Sequence, residues 1–213
     1  SHPMASEEKR RVPNEGRDTM KFGKYLAQGM LVSSLALFGA ASASANDFAG
    51  QITEVLNSQV KTWMSDPVVV EAIKAQNAET GGLSEADIDA LDKQWRAEAD
   101  AGSGPLIDKV LANDLSAFLK EKKEAAGGLF FEIFIMDAKG LNVGQSDVTS
   151  DYMQGDEAKW QKTYPVGPDA VFIDEVEFDD SSGQFQSQAN ATIADPATGE
   201  AIGAITIGIN VEQ

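Results

Sequence analysis

Carboxylates are the commonest reactive groups in this sequence, and close pairs of them are the first candidates for chemistry. Asp156-Glu157 and Glu175/Glu177 have the residue types of a glycosidase acid–base dyad. The chain carries 34 Asp and Glu residues, however, so such pairs arise by chance and no enzyme is read from them. Asp179-Asp180-Ser181-Ser182-Gly183 opens like a calcium loop, but Asn190 stands at the twelfth position, where an EF-hand needs Glu. A hairpin turn is the better reading. The other arrangement of interest is aromatic. Trp160 and Tyr164 lie four apart, so one short helix presents both on one face. They supply apolar walls, and Tyr152 a hydroxyl, of the kind a small-molecule pocket needs. Lys159 or Lys162 would hold a carboxylate ligand. Asp174 or Asp179, with aromatic faces, would suit an amine. Each has a plainer role available: Trp160 as a plug of the core, Asp179 as turn chemistry.

What is missing narrows the chemistry further. The 213 residues contain no Cys and one His, His2. There is no disulfide, thiolate site or cysteine nucleophile. Without a second His there is no His-based metal centre, and a Ser-His-Asp triad would rest on His2 alone. No cofactor is expected. The formal charge of −17 argues against nucleic acid or an anionic membrane as partner.

His2 also falls in a segment read as outside the fold. Met20-Lys21-Phe22-Gly23-Lys24 begins like a translated N-terminus, an apolar run follows from Met30 to Ala41, and Ala43-Ser44-Ala45 is an A-x-A cleavage signature. These are the three parts of a secretory signal peptide over 20–45, cleaved after Ala45. Residues 1–19 are a tag remnant or lie upstream of the true start. Residues 1–45 hold six Lys/Arg and four Asp/Glu, so 46–213 keeps 11 basic and 30 acidic residues, a formal −19. One Arg remains, Arg96.

The elements that must position these side chains follow from periodicity. Phe48, Ile52, Val55, Leu56, Val60 and Trp63 mark one long amphipathic helix over 47–64. Its apolar stripe offers a surface for a homodimer. Asp66-Pro67 caps a second helix to about Asn77, and Ser84 with Asp87 forms a capping box for a third, to about Ala99. Pro105 opens a fourth, running unbroken to Lys120–Lys123 and stopped by Gly127-Gly128. The period then changes to two. Strands are expected over 129–136, 141–145, 171–178, 184–193 and 201–211, with a short helix around 155–162. The last three, joined by short turns, form an antiparallel meander. The fold class is α+β: a helical part, 46–128, and a five-stranded antiparallel sheet, 129–213. The connection 146–170 is longer than the turns, as functional segments are.

With these elements in place the sequence resembles the Cache domain, the PAS-like extracytoplasmic sensor fold. Ile133-Phe134-Ile135-Met136-Asp137-Ala138-Lys139-Gly140 with Gln145-Ser146-Asp147 is similar to its first hairpin. Ser150–Trp160 is similar to the pocket-flanking helix of single-module members, and Asp195…Gly199 through Asn210 to the closing strand pair. The resemblance covers nearly all of 46–213. It implies a sensor that holds a small metabolite between the sheet and segment 146–164, so the site residues become Phe134, Tyr152, Lys159, Trp160, Tyr164, Phe172, Asp174 and Asp179. It also implies signalling through chemoreceptors or kinases. This chain departs from the amino-acid-binding subgroup: Ala158 stands where an Arg is implied, and Glu177-Phe178-Asp179 where Tyr-x-Asp is implied. The expectation is therefore an exported, periplasmic, stand-alone sensor domain that binds a small metabolite and signals through a membrane receptor or kinase. The competing expectation is an acidic protein-interaction module of a membrane receptor with no small ligand.

Overall fold

The computed structural model describes residues 46–179 and 183–213, Asp179 by its backbone alone. Stretches 1–19 and 20–45, with the cleavage after Ala45, and Asp180-Ser181-Ser182 of the calcium-like run lie outside the described residues.

The helices are α1 (Ala49–Ser58), α2 (Pro67–Thr80), α3 (Glu85–Ala101), α4 (Pro105–Leu111), α5 (Asp114–Ala125) and α6 (Ala158–Gln161). The strands are β1 (Phe130–Met136), β2 (Asn142–Gln145), β3 (Val171–Asp179), β4 (Gln184–Ala194) and β5 (Ala201–Asn210). They form one antiparallel sheet in the order β2-β1-β5-β4-β3. The α+β class and the five-stranded antiparallel sheet are as expected. The β3-β4-β5 meander is present, and the β1–β2 hairpin joins it by pairing β1 with β5.

Local chemistry sets most helix ends. Asp66 accepts from the Val68 amide with Pro67 in the first turn. Ser84 and Asp87 close the capping box reciprocally. Two expectations need correction. The long helix over 47–64 is α1 followed by a 3-10 turn, Val60–Thr62; the longest described helix is α3. The unbroken fourth helix is two. Asn113 ends α4's run by capping α5, accepting from the Ser116 amide, while its Nδ2 donates to the Val143 carbonyl at 2.8 Å. Anchoring the chain to β2 at this point outweighs helix continuity.

The sheet has two unlike faces. Ile133, Ile135, Ile205, Ile207, Ile209, Ala189, Ala191 and Ile193 point to one, where α1, α2 and α5 bury them with Ile52, Leu56, Ile73 and Leu119. The apolar stripe of α1 is thus buried in the core. On the other face, strand register aligns Gln145, Phe134, Thr206, Asn190 and Phe172 in one row. Glu132, Gly208 and Gln188 form the next row. Segment 146–170 covers part of this face. The β3–β4 register shifts between Ile173 and Val176, a bulge that turns Asp174 and Glu175 out of the ladder. No helix among the described residues is long and apolar enough to cross a membrane.

Candidate functional site

The second sheet face carries most of the expected site residues. Trp160 and Tyr164 stack at 5.3 Å between ring centroids and pack on Phe134, Met136 and Ala204. Tyr164 lies past the end of α6, which is shorter than the expected 155–162 helix, yet keeps its place through the Thr163 hydroxyl bond to the Lys159 carbonyl. Trp160 Nε1 donates to the Asp137 carbonyl at 3.1 Å, which fixes the indole. Asp137 is itself buried and fully used: it accepts from the Lys139 and Leu141 amides, Gln76 and Thr80. Lys159 Nζ lies 5.4 Å above the Phe134 ring and pairs with Glu157 at 2.8 Å. Lys162 Nζ lies 4.1 Å above the Phe172 ring. Both lysines therefore cover aromatic faces.

Beside this cluster lies a cleft of about 230 Å3 between α6 and strands β3 and β4. Carboxylates dominate its walls: Glu157, Asp174, Glu175 and Glu177 face it, against one cation, Lys159. Gln186, Ser187 and Gln188 add neutral polar groups. Gln188 donates to Glu132 at 3.3 Å behind the wall. Burial raises the Glu132 carboxyl above the usual range, and nearby Lys159 offsets part of that. Gly208 makes the space: a Cβ there would press on Glu132 and Gln186 at 3.1 and 3.2 Å. Ala158, where the resemblance implies Arg, also lines the cleft.

Two expected residues stand elsewhere or beyond description. Tyr152 is buried in a separate cluster, stacked on Trp95 at 5.4 Å with Ile107, Val110 and Leu141 around it. Burial pushes its phenol upward. Asp179 pairs with Gln184 through the backbone, and its side chain is outside the described residues.

Sequence reasoning missed two groups. Asn142, Gln145, Thr149 and Gln154 are buried together next to Phe134 and Met136. Asn142 Nδ2, Thr149 Oγ1 and Gln154 Nε2 converge on the Asp151 carbonyl. Among the described residues, Asn142 Oδ1, Gln145 Nε2 and Gln154 Oε1 have no partner. Asn and Gln in a polar stretch read as surface, and no spacing signals their burial. The second group ties segment 146–156 to α3. Asp92 accepts from the Tyr152 and Met153 amides, both at 2.9 Å, and from Arg96 Nε at 2.7 Å. Trp95 Nε1 donates to the Thr149 carbonyl at 2.8 Å. Partial burial pushes the Asp92 carboxyl up, but the two amides and Arg96 outweigh it and hold it below its usual value. An acid and an aromatic three apart on a helix were the available signal.

Comparison with known proteins adds a likeness. The chain is similar to sensor domains. It aligns with the sensor domain of the V. cholerae histidine kinase DctB at 14% identity and TM-score 0.43, over 77% of this chain and 52% of that one. It aligns with the sensory domain of the Campylobacter jejuni chemoreceptor Tlp3 (CcmL) at 12% and 0.37, over 75% and 65%. For the ligand-binding domain of the Pseudomonas aeruginosa PAO1 amino acid chemoreceptor PctC, in complex with GABA, the values are 14% and 0.33, over 78% and 62%. The chain thus spans between about half and two thirds of these structures. No family model and no curated protein matches.

Proposed function

We propose that this chain is an exported, periplasmic sensor domain of the Cache type that binds a small amine-bearing metabolite and signals through a membrane receptor or kinase. It acts without catalysis, by holding its ligand. One observation carries the reading: the cleft beside Trp160, small and walled by four carboxylates around a lysine already paired with Glu157. An ammonium group would meet Asp174, Glu175 or Glu177, and the neutral amides would orient the rest of the molecule. A free carboxylate would meet net repulsion, because Ala158 supplies no guanidinium. The arrangement of the α3 clamp suggests how binding is read: a shift of α6 pulls on segment 146–156, and Asp92 and Trp95 pass it to α3.

Thermal-shift screening of amines, purines and organic acids tests the proposal. Stabilisation by amines, lost in Asp174→Asn and Glu177→Gln, is expected. Ala158→Arg should move the preference toward carboxylates. No stabilisation by any of these compounds would overturn the reading, and stabilisation by organic acids alone would overturn the amine assignment.

A further inference from the structure

On the far side of Trp160 from the cleft lies a second and larger depression. This groove, of about 450 Å3, runs between the first half of α3 and segment 153–161. Its floor is Ile88, Met153 and Trp160, and its rim carries Glu85, Asp89 and Asp156. Asp92 also reaches it but is committed to the Tyr152 and Met153 amides and to Arg96. Lys139 is the one cation among the lining residues.

We infer that this groove docks a basic, amphipathic segment of a partner polypeptide, with an apolar side chain on the floor and Lys or Arg at the rim. Charge complementarity selects the occupant: Asp89 is paired with Lys93 at 2.7 Å, but Glu85 and Asp156 add their charge to a domain of formal charge −19, which attracts cationic partners over distance. The floor residues suit such an anchor. Methionine adapts its shape to varied side chains, and tryptophan takes both apolar contact and a cation over its face. The floor is also pre-formed. Met153 is held through its amide by Asp92, and Trp160 through Nε1 by Asp137, so docking orders little that is not ordered already. The length fits a peptide. From Glu85 to Asp92 the helix rises about 10 Å, the reach of about three extended residues. Because Trp160 also stacks in the aromatic cluster beside the cleft, a partner seated here would feel a displacement of α6. The groove itself does not require the amine reading of the cleft.

Fluorescence anisotropy on the full-length protein tests this with three labelled synthetic peptides: alternating Lys-Leu, alternating Lys-Ser and alternating Glu-Leu. The Lys-Leu peptide should bind saturably, weaken with added salt, and exceed both others by about tenfold or more. Asp156→Lys, at an exposed position, and Met153→Glu should each cut its affinity about tenfold, while Met153→Leu should keep it. Glu177→Gln, in the cleft, should leave peptide binding unchanged even where it abolishes stabilisation by amines. Equal binding of Lys-Ser and Lys-Leu would reduce the effect to diffuse charge attraction and overturn the inference. So would no saturable binding, or full binding by Asp156→Lys.

Discussion

The two faces of the sheet are built from opposite materials. Beneath α1, α2 and α5 the strands present mostly isoleucine and alanine, with Phe130, Val143 and Val176, and the helices fill the spaces between them. Beneath segment 146–170 the same strands present Glu132, Gln188, Asn190, Thr206 and Gln145, interrupted by Phe134 and Met136. The first face gains stability from burial alone, which is indifferent to direction. The second buries donors and acceptors, which call for particular partners at particular distances, as Thr206 has in Asn190, while Gln145 Nε2 has none among the described residues. A face of that kind contributes less stability per residue and more specificity, as a binding surface requires. The difference teaches where to look for function: not where the core is best packed, but where polar groups have been buried at a cost.

Mutations can sharpen or break this contrast. Ile207→Ala, on the packed face, should cost about 2–5 kcal/mol in urea unfolding, with no specific effect on ligand binding. Thr206→Val, one residue away on the other face, should cost about 1–3 kcal/mol despite its nearly equal volume. The reason is that Thr206 donates to Asn190 Oδ1 at 2.7 Å, and the buried acceptor would lose its donor. If Thr206→Val were neutral while Ile207→Ala were not, the polar row would be dispensable and the contrast would fail. Asp92→Ala should cost about 1–2 kcal/mol, and its mark should be faster hydrogen exchange at the Tyr152 and Met153 amides rather than throughout the sheet.

The smallest effects separate the two regions by pH. Glu132 is raised in the folded state, so the folded protein binds the extra proton and stability falls as pH rises from its ordinary value of 4.5 toward the raised one. Glu132→Gln should remove that fall. Asp92 is lowered, so its contribution is complete above its ordinary value of 3.8 and is lost as pH drops through the depressed one. Asp92→Ala should flatten the acid limb and leave the Glu132 window intact. Stability curves of the two variants with the same shape would contradict the assignment of these groups to separate environments.

How much of this was legible in the sequence depends on whether a signal was local. The Asp66-Pro67 cap, the Ser84/Asp87 box, the strand periods and the turn residues act within a few positions, and the helices and strands start close to where they indicate. The α4–α5 break was hidden because the apolar stripe through Leu111, Leu115 and Leu119 keeps helical spacing across it. The cap that breaks the run is Asn113, whose second bond goes to β2, thirty residues away. At the site, Phe134, Lys159, Trp160, Tyr164, Phe172 and Asp174 are brought to one side of the sheet. Tyr152 was grouped with them by closeness in sequence, but Trp95, 57 positions before it, draws it into the helical cluster. The amide cluster has no sequence signature at all, because only the covering segment makes those side chains interior.

The bulge in β3 has a consequence beyond the cleft it shapes. Because β3 ends the sheet, its outer rim of backbone groups would be open to a further strand. Val171 and Phe178 are exposed near its two ends and would favour such an addition. Between them the β3–β4 register slips at Asp174-Glu175, which bends the strand, and the cleft carboxylates Glu175 and Glu177, both exposed, put negative charge close to this edge. A second chain sliding in alongside would find no continuous template and would set its own carboxylates against these. The irregularity beside Asp174 therefore also works against edge-to-edge growth of the sheet.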